Sequence, residues 1–133
     1  MVNQGSIKTT TCEWRMREDG VIHGAIEVGV AETLEDAREN IAAIARLADG
    51  RRRPVIVDIS KAKSVGREAR SYYSGPECAQ TTTAVALITG SLLGRALGNF
   101  FLGLNKPPFP LRLFTSLDDA LLWLKGLPRE VAP

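Results

Sequence analysis

The residues best suited to chemistry follow the end of a strongly apolar segment. Residues 54–60 read Pro-Val-Ile-Val-Asp-Ile-Ser, and such a β-branched run is typical of a strand buried on both faces of a parallel sheet. In sheets of this kind, binding residues collect just beyond the carboxyl ends of the strands. We therefore expect a partner- or anion-binding site among the polar and charged side chains found there: Asp58, Ser60, Lys61, Lys63, Ser64, Arg67 and Arg70.

Positive charge dominates this part of the chain. Residues 51–70 contain seven basic and two acidic residues, an excess of five, although the net charge of the whole chain is only +2. Arg67 and Arg70 are three residues apart, so on a helix they share a face and can converge on one anion. The pattern predicts binding of a phosphate, a carboxylate or an acidic partner. The alternative is internal pairing of these arginines with carboxylates such as Asp58 and Glu68.

The same residues lack the neighbours that catalysis requires. Asp58 has no second carboxylate or histidine beside it, so general acid–base chemistry is not predicted. Ser60 and Ser64 have no nearby base to make a nucleophile. We expect Asp58 to be partly buried and to accept hydrogen bonds from backbone amides or an arginine, because an unpartnered buried carboxylate is costly. The chain has one histidine and two separated cysteines, so neither a metal nor a cofactor is expected.

A second candidate surface is the segment 91–104, which is predicted to be a helix with an unusually broad apolar stripe. Glycines four residues apart leave one track without side chains, so that another chain or a ligand can approach the backbone. Tight packing against the sheet is the alternative. If the stripe is exposed, we expect a protein interface, a homodimer contact or an apolar groove formed by Leu93, Gly94, Arg95, Leu97, Gly98, Asn99, Phe100 and Phe101.

The elements that position these residues follow the order β-β-α-β-α-β-α-β-α in a single domain, with a core from about residue 10 to residue 127. An antiparallel hairpin is predicted around Glu18-Asp19-Gly20. Helices are predicted to start at Thr33 and Ser116, each followed three residues later by an aspartate. Ser64 is expected to cap the helix after the strand 54–60. This order favours an α/β fold with one mixed sheet and helices packed on it.

Composition excludes several classes of protein. Residues 84–104 are largely apolar, but Arg95 near their middle would cost about 2.5–3.5 kcal/mol in a bilayer, so a strand followed by a helix is predicted instead of a membrane span. The first residues have no signal-peptide pattern, and a cytoplasmic protein is expected. Arg51, Arg52 and Arg53 have no aromatic platform or reading helix with them, so nucleic-acid binding is not predicted.

The element order and the strand end Asp58-Ile59-Ser60 resemble the STAS family of anti-sigma-factor antagonists, which are SpoIIAA-like. The resemblance covers about residues 10–127 and implies the SpoIIAA-like fold and a non-enzymatic regulatory or interaction domain, with a protein or the chain itself as partner. Within this superfamily the chain is similar to an uncharacterised bacterial branch through four short patterns: Glu68-Ala69-Arg70-x-Tyr72, Asn99-Phe100-Phe101-Leu102, Asn105-Lys106-Pro107 and Phe114…Ala120…Trp123-Leu124.

The chain departs from that family at the position of its regulatory serine. In the antagonists a serine about seven residues after the Asp-x-Ser is phosphorylated, and the added charge releases the partner. Here the chain reads Gly66-Arg67-Glu68-Ala69, without a hydroxyl. The resemblance therefore implies recognition of an acidic or phosphorylated group by Arg67 and Arg70. It also implies an alternative, since SpoIIAA-like folds are similar to lipid-carrier domains: a module for an anionic or lipid-like small molecule, held along the helix 91–104.

Overall fold

A computed structural model describes residues 5–90 and 107–128. Its strands are β1 Ser6–Lys8, β2 Cys12–Met16, β3 Ile22–Ile26, β4 Ala31–Glu32, β5 Arg53–Asp58, β6 Ser64–Val65, β7 Thr82–Ile88 and β8 Leu111–Phe114. Its helices are α1 Leu34–Ala48, α2 Arg67–Tyr73, α3 Pro76–Ala79 and α4 Leu117–Lys125.

Six strands form one mixed sheet in the order β1-β2-β3-β5-β7-β8. The first three strands pair antiparallel, and the pairs from β3 to β8 are parallel. The predicted fold class is thus confirmed, including the hairpin of β2 and β3. A separate parallel ribbon of β4 and β6 was not predicted, because two-residue strands are too short to show a sequence period.

Helices α1 and α4 begin where the sequence patterns predicted. Thr33 accepts a hydrogen bond from the Asp36 backbone and Asp36 accepts one from the Thr33 backbone, which completes a capping box at the start of α1. Ser116 caps α4 by accepting from the backbone of Asp119 at 3.2 Å. The expected cap of α2 is wrong. Ser64 lies in β6, and Gly66 is the N-cap without a side-chain hydrogen bond.

Two apolar clusters cover opposite faces of the sheet, which makes three layers. On one face, α1 packs against β2, β3, β5 and β7 through Trp14, Ile22, Ile41, Ile44, Val55 and Leu87, among others. On the other face, α4 packs through Ala120 and Leu124 against Ile56, Ala86 and Ile88. Parallel strands β5 and β7 are apolar on both sides for this reason.

The apolar stretch 84–104 is only partly described by the structure. Its first residues belong to the strand β7, as predicted. Residues 91–106 lie outside the described part of the chain. Within the described residues, no helix has the length and apolarity needed to span a bilayer.

We expect Gly24→Ala to destabilise the sheet. Gly24 lies opposite Trp14 in the β2–β3 register, and a methyl group there would sit 2.5 Å from Trp14 Cε3 and 2.7 Å from Cys12 Sγ. Because both neighbours are buried, overpacking should lower the free energy of unfolding by about 1–3 kcal/mol, measured by urea denaturation. Gly126→Ala, whose nearest contact is an ordinary 3.6 Å, is the control; equal stability of both variants would contradict this packing.

Candidate functional site

The predicted site begins with a closed hydrogen-bonded turn at the end of β5. One carboxylate oxygen of Asp58, Oδ1, accepts from the Ser60 backbone N–H at 2.9 Å and from the Ser60 hydroxyl at 2.6 Å. The backbone partner predicted for Asp58 is therefore present. This turn fixes the direction in which the chain leaves the sheet, so Asp58 and Ser60 shape the following loop.

Backbone hydrogen bonds hold the segment after β5 in place at several points. The N–H of Gly29 donates to the carbonyl of Lys61 at 2.9 Å, and the N–H of Lys63 donates to the carbonyl of Val30 at 2.8 Å. A further bond of 3.2 Å joins Ala62 N–H to Ile59 O. We call residues 61–67, which carry Lys61, Lys63 and Arg67, the basic loop, although this segment includes β6 and the first residue of α2. Its backbone is therefore ordered by neighbouring strands and turns.

Three cationic side chains of the basic loop point into solvent. Lys61, Lys63 and Arg67 are all exposed. In the described part of the chain, the four ion pairs involve other residues, so none of the three charges is neutralised by a described carboxylate. This arrangement can attract and bind a group with negative charge.

Arg70 has a structural contact that distinguishes it from Arg67. Its Nη1 donates to the carbonyl of Val65 at 2.8 Å, and the side chain is only partly exposed. Arg70 thus connects α2 to the short strand β6. Ser64, also in β6, is half-buried. The roles predicted for Arg70 and Ser64 in binding an anion stay predictions.

The concave surface beside α2 is acidic. A shallow groove of about 350 Å³ runs past the start of α1 and along α2 and α3, and its wall includes Leu34, Glu68, Tyr72 and Glu77 but no arginine or lysine. An anion would meet like charge in this groove. Lys61, Lys63 and Arg67 do not line this groove.

The second predicted surface cannot be placed. Leu93, Gly94, Arg95, Leu97, Gly98, Asn99, Phe100 and Phe101 all lie outside the described residues. Gly90, the last described residue before this segment, lies against Ser60. A methyl group on Gly90 would be 2.8 Å from Ser60 Cβ. The chain thus enters the segment 91–104 close to Ser60.

Sequence reasoning missed a buried polar cluster around Glu32. Glu32 is only 2% exposed, yet its Oε2 accepts from the Thr11 hydroxyl at 2.6 Å and from Asn40 Nδ2 at 2.9 Å. Its Oε1 accepts from the Tyr73 hydroxyl. Three donors from three different segments therefore converge on one carboxylate.

Asn40 fixes the geometry of this cluster from α1. Its Oδ1 accepts from the Trp14 indole at 2.9 Å and from the Thr9 hydroxyl at 2.6 Å. Because the oxygen faces these donors, the amide nitrogen faces Glu32 and Tyr73. We call Thr9, Thr11, Trp14, Glu32, Asn40 and Tyr73 the Glu32 cluster.

Burial changes the titration of several groups in this region. Burial, and to a smaller extent Asp36, raises the pKa of Glu32 above its ordinary 4.5, while the hydrogen bonds from Thr11, Tyr73 and Asn40 act in the opposite direction without cancelling the rise. Burial also raises the pKa of Cys12 to about 12 and that of Cys78 to about 11. Both thiols stay protonated at neutral pH, so neither is a reactive nucleophile.

A weak signal for the cluster is present in the sequence. Asn40 interrupts the apolar face of α1 between Ala37 and Ile41, and a polar residue at such a position requires partners. Glu32 gave no signal, because it directly precedes the helix cap Thr33 and resembles an ordinary solvated acid. Its burial depends on the pairing of β4 with β6, which no local pattern predicts.

Comparison with known proteins shows both a family and a fold. A family model described as a domain of unknown function, DUF7793, matches residues 15–128. The chain is similar to the crystal structure of an uncharacterised protein from Shewanella loihica PV-4, of the DUF3478 family with a SpoIIAA-like fold, at 16% identity and a TM-score of 0.57; the match covers 89% of this chain and 98% of that one. The SpoIIAA-like fold is thus confirmed.

A second solved structure is similar in sequence. It is a protein with unknown function from Arthrobacter sp. FB24, 33% identical, with a match that covers 89% of this chain and 95% of that one at a TM-score of 0.36. No curated protein matches the chain.

Removing Asn40 should destabilise the fold strongly. In Asn40→Ala, the Trp14 indole and the Thr9 hydroxyl lose an acceptor and Glu32 loses a donor, all of them buried. We expect the free energy of unfolding to fall by about 3–5 kcal/mol in urea denaturation. Arg38→Ala, on an exposed side of α1, removes only a surface pair with Glu35 and should cost about 0.5 kcal/mol. A loss below about 1 kcal/mol in Asn40→Ala would show that the cluster contributes little.

Proposed function

The chain belongs to the DUF7793 family and has a SpoIIAA-like fold, and from this premise we propose that it is a non-enzymatic interaction domain that binds an acidic partner through the basic loop. The observation that carries the proposal is the exposure of Lys61, Lys63 and Arg67 without a described ion pair. Charges that the fold leaves unpaired are available to a partner.

The ordered backbone of the basic loop supports binding of a protein surface. Bonds from Gly29 to Lys61 and from Lys63 to Val30 hold the loop against the turn after β3, and the Asp58–Ser60 turn holds its entrance. A loop already ordered loses less conformational entropy when it binds, so more of the interaction energy appears as affinity.

The chemistry of the three cations indicates the partner's groups. Arg67 presents a planar guanidinium that suits carboxylates or phosphoryl oxygens, whereas Lys61 and Lys63 act as point charges with flexible stems. Exposed charges of this kind act at long range and are screened by salt. The partner is therefore an acidic protein surface, on another protein or on a second copy of the chain.

Neither candidate for catalysis in the described site supports an enzyme. The Ser60 hydroxyl and the Ser60 backbone N–H both donate to Asp58 Oδ1, at 2.6 Å and 2.9 Å, so this pair closes a turn within three residues. Glu32, the carboxylate with a raised pKa, is closed off from solvent. These contacts favour a binding role over a reaction.

A charge-matched pair of variants tests the proposed surface. Lys61→Ala/Lys63→Ala/Arg67→Ala removes the charges of the basic loop, and Arg46→Ala/Arg51→Ala/Lys125→Ala removes three exposed charges elsewhere. Partners captured from an extract of the source cells are identified by mass spectrometry, and affinity is then titrated at two salt concentrations. We expect the first variant to weaken binding at least about tenfold and to remove most of its salt dependence.

The control variant should bind the same partner with an affinity close to that of the unmodified chain. Equal weakening by both variants would mean that net charge alone attracts the partner. Unchanged affinity in the basic-loop variant would refute the proposed surface. If the captured partner is the chain itself, light scattering should show that the basic-loop variant shifts the dimer towards monomer.

A further inference from the structure

Glu32 contacts α2 at both of its ends. Its backbone carbonyl accepts from the N–H of Gly66, the N-cap of α2, at 2.9 Å. Its side-chain carboxylate accepts from the hydroxyl of Tyr73, the last residue of α2. One residue of β4 therefore holds the start of the helix through its backbone and the end of the helix through its side chain.

The helix depends on such external contacts. α2 has seven residues, only Ala69 is buried, and Gly66 provides no side-chain cap. A helix this short is not stable by itself in water, so its position is set by tertiary contacts. Besides Glu32, these contacts include the bond from Arg70 to Val65 and the packing of Tyr72 and Tyr73 against the core.

We propose that Glu32 is a positioning residue whose protonation controls the docking of α2, and with it the presentation of the adjoining basic loop. The significance of that loop rests on the proposed function, whereas the docking of α2 requires no partner. The geometry that carries the proposal is the double contact of Glu32 with Gly66 and Tyr73, inside a cluster that admits almost no solvent.

The groups around Glu32 come from every element packed against it. α1 contributes Asp36, whose charge opposes ionisation, and the amide of Asn40; α2 contributes Tyr73. β2 contributes the thiol of Cys12, which is coupled electrostatically to Glu32. On the ribbon side, Val65 pairs with Glu32 and its carbonyl is occupied by Arg70.

The direction of the pH effect follows from linkage. When α2 undocks, Glu32 becomes hydrated and its pKa returns towards the ordinary 4.5, whereas in the docked state burial holds the pKa higher. At a pH between the undocked-state and docked-state pKa of Glu32, the carboxyl is therefore protonated in the docked state and ionised in the undocked state. Raising the pH through this window favours undocking, by up to tenfold per pH unit for one proton, and above the docked-state pKa the effect levels off.

Amide exchange of the full chain tests the proposal without any partner. The protection factors of the α2 amides are measured by NMR across the pH range. These factors are already corrected for the pH dependence of intrinsic exchange. The ¹³C chemical shift of the Glu32 carboxyl carbon reports the titration of Glu32. We expect α2 protection to fall with rising pH, by up to about tenfold per pH unit, in parallel with that titration. In Glu32→Gln the pH dependence should disappear, and in Glu35→Gln, an exposed carboxylate of α1, it should remain.

Tyr73→Phe provides a second test if Glu32→Gln does not fold. This variant keeps Glu32 buried but removes the Tyr73 hydrogen bond, which lowers the Glu32 pKa. The docked-state pKa of Glu32 should therefore rise further, and α2 protection should keep falling with pH up to a higher pH than in the unmodified chain. The proposal would be overturned if α2 protection in the unmodified chain did not depend on pH, or if α2 protection in Glu32→Gln had the same pH dependence as in the unmodified chain. If the basic-loop variant loses partner binding while its α2 protection is unchanged, the result tests the proposed function and leaves the docking of α2 by Glu32 unaffected.

Discussion

The arrangement of this domain depends on one buried carboxylate and the donors that surround it. Glu32 would be costly to bury alone, and it is accommodated because Thr11, Asn40 and Tyr73 all donate to it. These three residues belong to the segment before β2, to α1 and to α2. The same set of bonds that solves the energetic problem of one side chain therefore also joins the hairpin, the long helix and the short helix. Apolar packing forms the layers, and the Glu32 cluster joins α1 and α2 to the hairpin on one face of the sheet.

The basic loop follows directly from this arrangement. The β4–β6 ribbon brings residue 32 beside residue 65, and the loop that carries Lys61 and Lys63 ends at that ribbon. Its charges remain in solvent, while Asp58, the carboxylate nearest to Lys61 in sequence, is occupied by Ser60. Lys61, Lys63 and Arg67 form no ion pair with a described carboxylate. This lack of described ion pairs is the observation that supports the proposed binding of an acidic surface.

The sequence predicted the regular parts of this structure and the basic loop, for physical reasons that also explain what it missed. Strand β5, helix α1 and the caps at Thr33 and Ser116 are local features, written in the spacing of apolar residues and in the nearest polar neighbours. Glu32 and Tyr73 are 41 residues apart, and their bond exists only once the ribbon and both helices are in place. The helix start was misplaced at Ser64 for the same reason: pairing with Ala31 extends residues 64 and 65 into a strand, and tertiary pairing outweighs a local capping preference.

The contact between Gly66 and Glu32 also restricts which side chain position 66 can carry. A side chain at position 66 would place its Cβ 3.1 Å from the Glu32 carbonyl, closer than ordinary van der Waals contact, and that carbonyl already accepts the Gly66 N–H. A serine there would require the ribbon to move and would weaken the attachment of α2. The next residue, Arg67, is the first of α2 and its side chain is exposed. Glu68 beside it is also exposed, and the start of this helix is held in position by the bond from the Gly66 N–H to the Glu32 carbonyl.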